Sequence, residues 1–150
     1  MKKCVTCGQR GTFHKGLVPH SIHVGDYEFA GKVVASICPN CRESYVSYDS
    51  LGEFEQNVAD KIIRSGMRTG SSFRFLRKTI GLSAVELARI IGVRPESISR
   101  WESGRRVVDR GAFFELESLV AESASGERPS VRSMIDALNS PKELARRVSV

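Results

Sequence analysis

Leu82-Ser83-Ala84-Val85-Glu86-Leu87-Ala88-Arg89-Ile90-Ile91-Gly92-Val93-Arg94-Pro95-Glu96-Ser97-Ile98-Ser99-Arg100-Trp101-Glu102-Ser103-Gly104 is the segment on which the fold turns. Ser83 can cap a helix that runs through Ile91, and Gly92 can stop it. Arg94-Pro95 then starts a second helix, because proline tolerates the first helical turn, and Gly104 ends it. Helical spacing points Leu87, Ala88 and Ile91 inward from the first helix, with the small Ala88 where the second helix crosses. Val93, Ile98 and Trp101 bury the second helix. Arg94, Glu96, Ser97, Ser99 and Arg100 are left on its outer face.

Helix signals continue on both sides. Phe73, Leu76 and Ile80 form one apolar face ahead of Gly81, and a helix from about Asp109 to Glu122 carries Phe113, Leu116, Leu119 and Val120. Val131–Leu138 reads as a short fifth helix, followed by a basic tail at Lys142–Val150. Upstream, Ser50 and Glu53 fit a capping box for a helix over roughly 51–65. Arg68-Thr69-Gly70-Ser71-Ser72 reads as a weak linker. Residues 1–48 differ in character, with recurring glycines around β-favouring pieces at Ser21–Val24 and Lys32–Ile37. The expected architecture is α+β in two domains. Residues 1–68 form a small β module with a connecting helix, and residues 69–150 an all-α domain of five helices.

Two helices about a glycine turn, the second with an outward polar face, make a helix-turn-helix whose recognition helix enters the major groove of DNA. Arg100 is the first candidate for reading a base, since a guanidinium can fork onto guanine. Arg94 and Glu96 stand behind it, with Ser97 and Ser99 alongside. Ser83 at a helix N-terminus, and Arg105 and Arg106 past the recognition helix, suit phosphates. Residues 74–110 hold nine Arg or Lys against four acids, so most of the chain's +6 charge falls in a quarter of its length. A plain helical bundle would share the apolar spacing, and Glu102 can pair with an arginine instead of facing DNA.

Four cysteines occur as Cys4-x-x-Cys7 and Cys38-x-x-Cys41. A CxxC turn aims both sulfurs at one point, and two such turns complete a tetrahedral thiolate cage, which predicts one structural Zn²⁺. The interval between the pairs leaves room for a hairpin or two. A redox dithiol would want a βαβ setting that is missing here. His14, His20 and His23 are read as surface or turn histidines, because the cage is complete without them.

The helix-turn-helix segment resembles the Cro/C1-type (XRE) family, through Gly81-Leu82-Ser83, Glu86-Leu87-Ala88, Gly92-Val93 and Ile98-Ser99-Arg100-Trp101-Glu102-Ser103-Gly104. Ala84 departs from it, standing where the family usually has a phosphate-binding glutamine, and so does Pro95. A CxxC pair of knuckles, a connecting helix and a C-terminal XRE domain together resemble the MqsA-type antitoxins over about residues 1–122. The resemblance implies a homodimer formed through the C-terminal domains, bound to palindromic double-stranded operator DNA and repressing its own operon. It also implies a small RNA-cleaving toxin neutralised by the zinc domain.

Dimerisation is expected on physical grounds too, since one recognition helix reads few base pairs, and Phe113, Phe114, Leu116 and Leu119 can serve both core and dimer surface. The rival within the class is a zinc-containing helix-turn-helix regulator with no toxin partner. An RNA-binding knuckle is another rival. An enzyme is not expected, as no nucleophile–base pair, phosphate loop or open metal position is visible. With no apolar run of membrane-spanning length and no signal-peptide core, a cytoplasmic protein without membrane attachment is expected.

Overall fold

The computed structural model describes residues 2–125. The chain divides into two compact units, Met1–Lys61 and Ile62–Val150. This division falls inside a helix, whereas the sequence reading separates the domains at the 68–72 segment. The expected helix at Val131–Leu138 and the basic tail at Lys142–Val150 lie outside the described residues.

The first unit begins with a two-residue ladder, β1 (Lys2–Lys3) against β2 (Arg10–Gly11). A three-stranded antiparallel sheet follows in the order β3 (His14–Val24), β4 (Tyr27–Ile37), β5 (Ser44–Val46). The two expected β pieces are therefore the ends of a much longer hairpin. Val24 pairs with Tyr27 across the two-residue turn Gly25-Asp26, and Gly25 has φ +60°, the positive value a tight hairpin turn needs at its first position. Burial alternates along β4, with Val33 and Ala35 inside and Val34 outside.

Helix α1 (Tyr48–Ser65) follows the sheet. The expected cap at Ser50 is corrected. The helix starts earlier, and Ser47 caps it: its hydroxyl accepts the Ser50 N–H at 3.2 Å while its carbonyl accepts the Leu51 N–H. Ser50 has Glu53 three residues on, as a capping box asks, but it lies inside α1, whereas Ser47 directly follows the end of β5 at Val46. Phe54 on α1 packs edge-on against His20 with ring centroids 5.0 Å apart, and a Cβ on Gly31 would approach its ring to 2.8 Å. His20 therefore belongs to a strand face covered by α1, while His14 and His23 are exposed on the same strand.

The second unit contains α2 (Gly70–Thr79), α3 (Ala84–Ile91), α4 (Pro95–Glu102) and α5 (Arg110–Ser125). The apparent linker at 68–72 is a helix start. Thr69 and Ser72 form a reciprocal capping box, and Ser72 is fully buried. Gly70 is the first residue of α2. A Cβ there would collide with the carbonyl oxygen of Trp101, so glycine is what lets α2 lie against the end of α4.

Phe73 sits at the centre of the core, edge-on to Trp101 at 5.8 Å and to Phe113 at 5.4 Å. Leu76, Leu87, Ala88, Ile98, Leu116 and Val120 close around it. The local signals of the sequence are all in place. Ser83 and Glu86 make a capping box, and Gly92 ends α3 at φ +72°. Pro95 opens α4, and Gly104 follows it, also at φ +72°.

One buried ion pair ties the helices together. Arg77 of α2 forks onto Glu102 at the end of α4, with Nε–Oε1 2.6 Å and Nη2–Oε2 2.9 Å, while Nη1 donates to the Leu82 carbonyl just ahead of α3. Both side chains are 9% exposed, which makes this a desolvated, bidentate pair.

Two substitutions test this packing. Gly70→Ala should destabilise the helical unit by about 1–3 kcal/mol in chemical denaturation, since backbone rather than a flexible side chain must yield. Arg77→Met should cost about 3 kcal/mol, because the buried Glu102 carboxylate then keeps only the exposed Arg74, whose Nε lies 4.0 Å away. The double variant Arg77→Met/Glu102→Leu should recover most of that loss, because no lone charge is then buried.

Candidate metal centre and nucleic-acid interface

The two CxxC turns are built alike. In the first, the Cys4 N–H donates to the Gln9 carbonyl at 2.9 Å and the Gly8 N–H to the Cys4 carbonyl at 3.0 Å. In the second, the Cys38 N–H donates to the Glu43 carbonyl at 2.8 Å and the Arg42 N–H to the Cys38 carbonyl at 3.0 Å. Each turn ends four residues after its first cysteine in a left-handed residue, Gly8 at φ +71° and Arg42 at φ +61°. The ladder β1–β2 carries the first turn, and the ends of β4 and β5 carry the second.

These turns bring all four sulfurs within 4.8 Å of one another. Cys4 and Cys41 are 3.5 Å apart, and Cys7 and Cys38 are 3.8 Å apart. A tetrahedron of sulfurs about 2.3 Å from a central ion has edges of about 3.8 Å, so the cluster has the size of a tetrathiolate metal site. Cys4 and Cys38 are buried, while Cys7 and Cys41 face solvent.

The electrostatics fit a cation. The Tyr45 hydroxyl, 3.1 Å from Cys4 Sγ, and then the Cys7 amide hold the Cys4 thiol down at about 6. The Asn40 side chain and the Gln9 amide lower Cys7. For Cys41 the Glu43 amide also lowers the value, but burial and the three neighbouring sulfurs override it and push the thiol up to about 12. Four thiols this close resist ionising together, and a divalent ion among them removes that conflict. The four cysteines can therefore hold a metal ion. The histidines take no part in this cluster among the described residues.

Tyr45 was not singled out by sequence reading. It stands 41 residues from Cys4, and no local spacing links the two.

In the helical unit, most of the residues read as DNA-facing are at the surface. Arg94 is exposed at the N-cap of α4, Glu96, Ser99 and Arg100 are exposed on the helix, and Ser97 is half-buried, while Ile98 and Trp101 turn into the core. Arg105 and Arg106 are exposed beyond α4, with the Arg106 N–H donating to the Arg100 carbonyl at 3.1 Å. Ser83 is exposed, but its hydroxyl accepts the Glu86 N–H and its own N–H donates to the Glu86 carboxylate.

The basic excess of residues 74–110 is smaller at the surface than in the sequence, because Arg77 is buried and paired with Glu102. The latter thus pairs with an arginine and does not face outward. Of the four residues named for core or dimer surface, Phe113, Leu116 and Leu119 are buried, and Phe114 alone is exposed, at 65%.

A family model described as helix-turn-helix matches residues 73–119, from α2 into α5. No curated protein matches the chain. No helix among the described residues is long and apolar enough to cross a membrane.

The left-handed Arg42 provides a test of the knuckle geometry. Arg42→Gly should raise the thermal midpoint of the first unit, by about 1 kcal/mol of relieved backbone strain. It should leave the metal stoichiometry unchanged, as measured by scanning calorimetry and metal analysis.

The matched residues run from α2 into α5 and include the turn at Gly92. The chain thus carries an XRE-type helix-turn-helix domain at residues 73–119 and is a DNA-binding transcriptional regulator.

Proposed function

We propose that this chain is the antitoxin of a type II toxin–antitoxin pair and represses its own operon. In this reading the helix-turn-helix unit binds double-stranded operator DNA as a homodimer. Arg100 reads a base edge, with Arg94, Glu96, Ser97 and Ser99 beside it. Arg105, Arg106 and the start of α3 at Ser83 meet phosphates. The N-terminal unit holds one structural Zn²⁺ per chain through Cys4, Cys7, Cys38 and Cys41, and binds and neutralises a small RNA-cleaving toxin. The protein acts by binding, with no catalytic step of its own. All four metal positions are filled by thiolates, so none is open to a reacting water.

The observation that carries this reading is the pairing, in one chain, of a four-thiolate cluster of metal-site size with a helix-turn-helix whose second helix exposes Arg94 and Arg100. Support for the dimer is geometric. An eight-residue α4 is about 12 Å long and spans only a few base pairs, so useful specificity calls for two half-sites about one helical turn apart. The exposed Phe114 offers apolar surface to a second copy.

The test has two arms. Binding of the zinc-loaded chain to its own upstream DNA should exceed binding to a scrambled duplex. Arg100→Ala should lose about 1–3 kcal/mol of preference at one base position, while Arg105→Ala should weaken both duplexes alike and flatten the salt dependence. In the second arm, co-expression with the product of an adjacent small open reading frame should give a complex that survives gel filtration and suppresses that product's ribonuclease activity. Equal binding to both duplexes would remove autoregulation from the reading. Absence of any inhibitory complex would remove the antitoxin role and leave a metal-containing regulator.

A further inference from the structure

The two knuckles share their backbone hydrogen bonds and their left-handed fourth residue, yet they differ at the residue after the first cysteine. In the first knuckle this is Val5, whose N–H donates to the Tyr45 hydroxyl oxygen at 3.1 Å. In the second it is Pro39, which has no N–H and cannot seat a hydroxyl in the same way. The Tyr45 oxygen that accepts from Val5 also lies 3.1 Å from Cys4 Sγ. Against a Cys4 thiolate, the form that binds a metal and has no hydrogen of its own, the phenol is the donor, while its oxygen accepts from the Val5 amide. Cys4 is fully buried, so no water supplies this bond in its place. Two further contacts hold the phenol. Its strand pairs Tyr45 with Ser36 of β4, and its ring stands edge-on to Phe13 with centroids 5.6 Å apart.

We propose that Tyr45 is a positioning residue of the metal centre, its hydroxyl donating to Cys4 Sγ and making Cys4 the anchoring thiolate of the four. This rests on the reading of the cysteine cluster as a metal site. A buried thiolate that accepts an O–H bond regains part of the solvation lost on burial. Its orientation is then set by β5, an element remote from its own knuckle. A hydrogen-bonding partner of this kind typically carries a 10–100-fold share of metal affinity.

The experiment is a cobalt(II) titration of the reduced, full-length chain followed by zinc competition, on wild type, Tyr45→Phe and Phe13→Leu. Phenylalanine keeps the ring and its contact with Phe13 and removes only the hydroxyl. Phe13→Leu disturbs the packing and leaves the hydroxyl in place. Wild type should bind one cobalt per chain with a sulfur-to-cobalt charge-transfer band. Tyr45→Phe should shift that band and weaken metal affinity about tenfold or more. Phe13→Leu should lower the thermal midpoint without moving the band. An unchanged band and affinity in Tyr45→Phe overturns the proposal, as does a matching shift in Phe13→Leu. If wild type takes up neither cobalt nor zinc, the metal reading itself fails and the proposal falls with it.

Discussion

The fork between Arg77 and Glu102 is the contact on which the DNA-binding half depends. A guanidinium withdrawn from water needs all of its donors used, and here each nitrogen has a partner: two on the Glu102 carboxylate and one on the Leu82 carbonyl. Those partners belong to different parts of the motif. Glu102 closes the recognition helix α4, Leu82 leads into α3, and Arg77 itself lies on α2. Satisfying one buried charge therefore sets the position of three helices at once. The rings of Phe73, Trp101 and Phe113 meet edge-on within a wider set of buried aliphatic side chains. The ion pair adds direction, which non-directional burial does not provide. Gly70 completes the arrangement by letting the backbone of α2 approach the Trp101 carbonyl.

The N-terminal unit solves a different problem. Its hairpin packs against α1 through His20 and Phe54, and beside the knuckles the ring of Tyr45 packs on Phe13. Four sulfurs gather there within 4.8 Å of one another, and a metal bound by such a cluster adds its binding free energy to folding. The repeated turn geometry explains how. Each CxxC segment satisfies its own backbone groups, so two short loops become rigid enough to present thiolates. Tyr45 links one loop to the strand that follows the other.

Electrostatics divides the arginines by burial and partner. Arg77 is consumed inside the helical core and contributes nothing to the outer potential. Arg94, Arg100, Arg105 and Arg106 stay exposed along α4 and the segment after it, where a polyanion can reach them. The same residue type thus serves as a structural clamp on α2 and as exposed positive charge at α4 and beyond it.

Much of this was written locally. Ser83 with Glu86, Gly92, Pro95 and Gly104 each act within a few residues of themselves, so the start, turn and stop of the two central helices were legible from spacing alone. The two CxxC pairs were legible for the same reason, since thiolate chemistry demands that spacing. What depended on residues distant in sequence was not. Arg77 and Glu102 lie 25 positions apart, and Tyr45 and Cys4 lie 41 apart. Nothing in a linear pattern distinguishes a paired arginine from a solvated one. Gly70 read as a linker because its need, room for the Trp101 carbonyl, exists only once α2 and α4 are packed. Ser50 fits the capping box in sequence, yet α1 already begins at Tyr48 and Ser47 caps it. Local backbone chemistry decided which elements form. Close packing, which brings unrelated segments into van der Waals and hydrogen-bonding range, decided which of their side chains face inward, pair or remain available for binding.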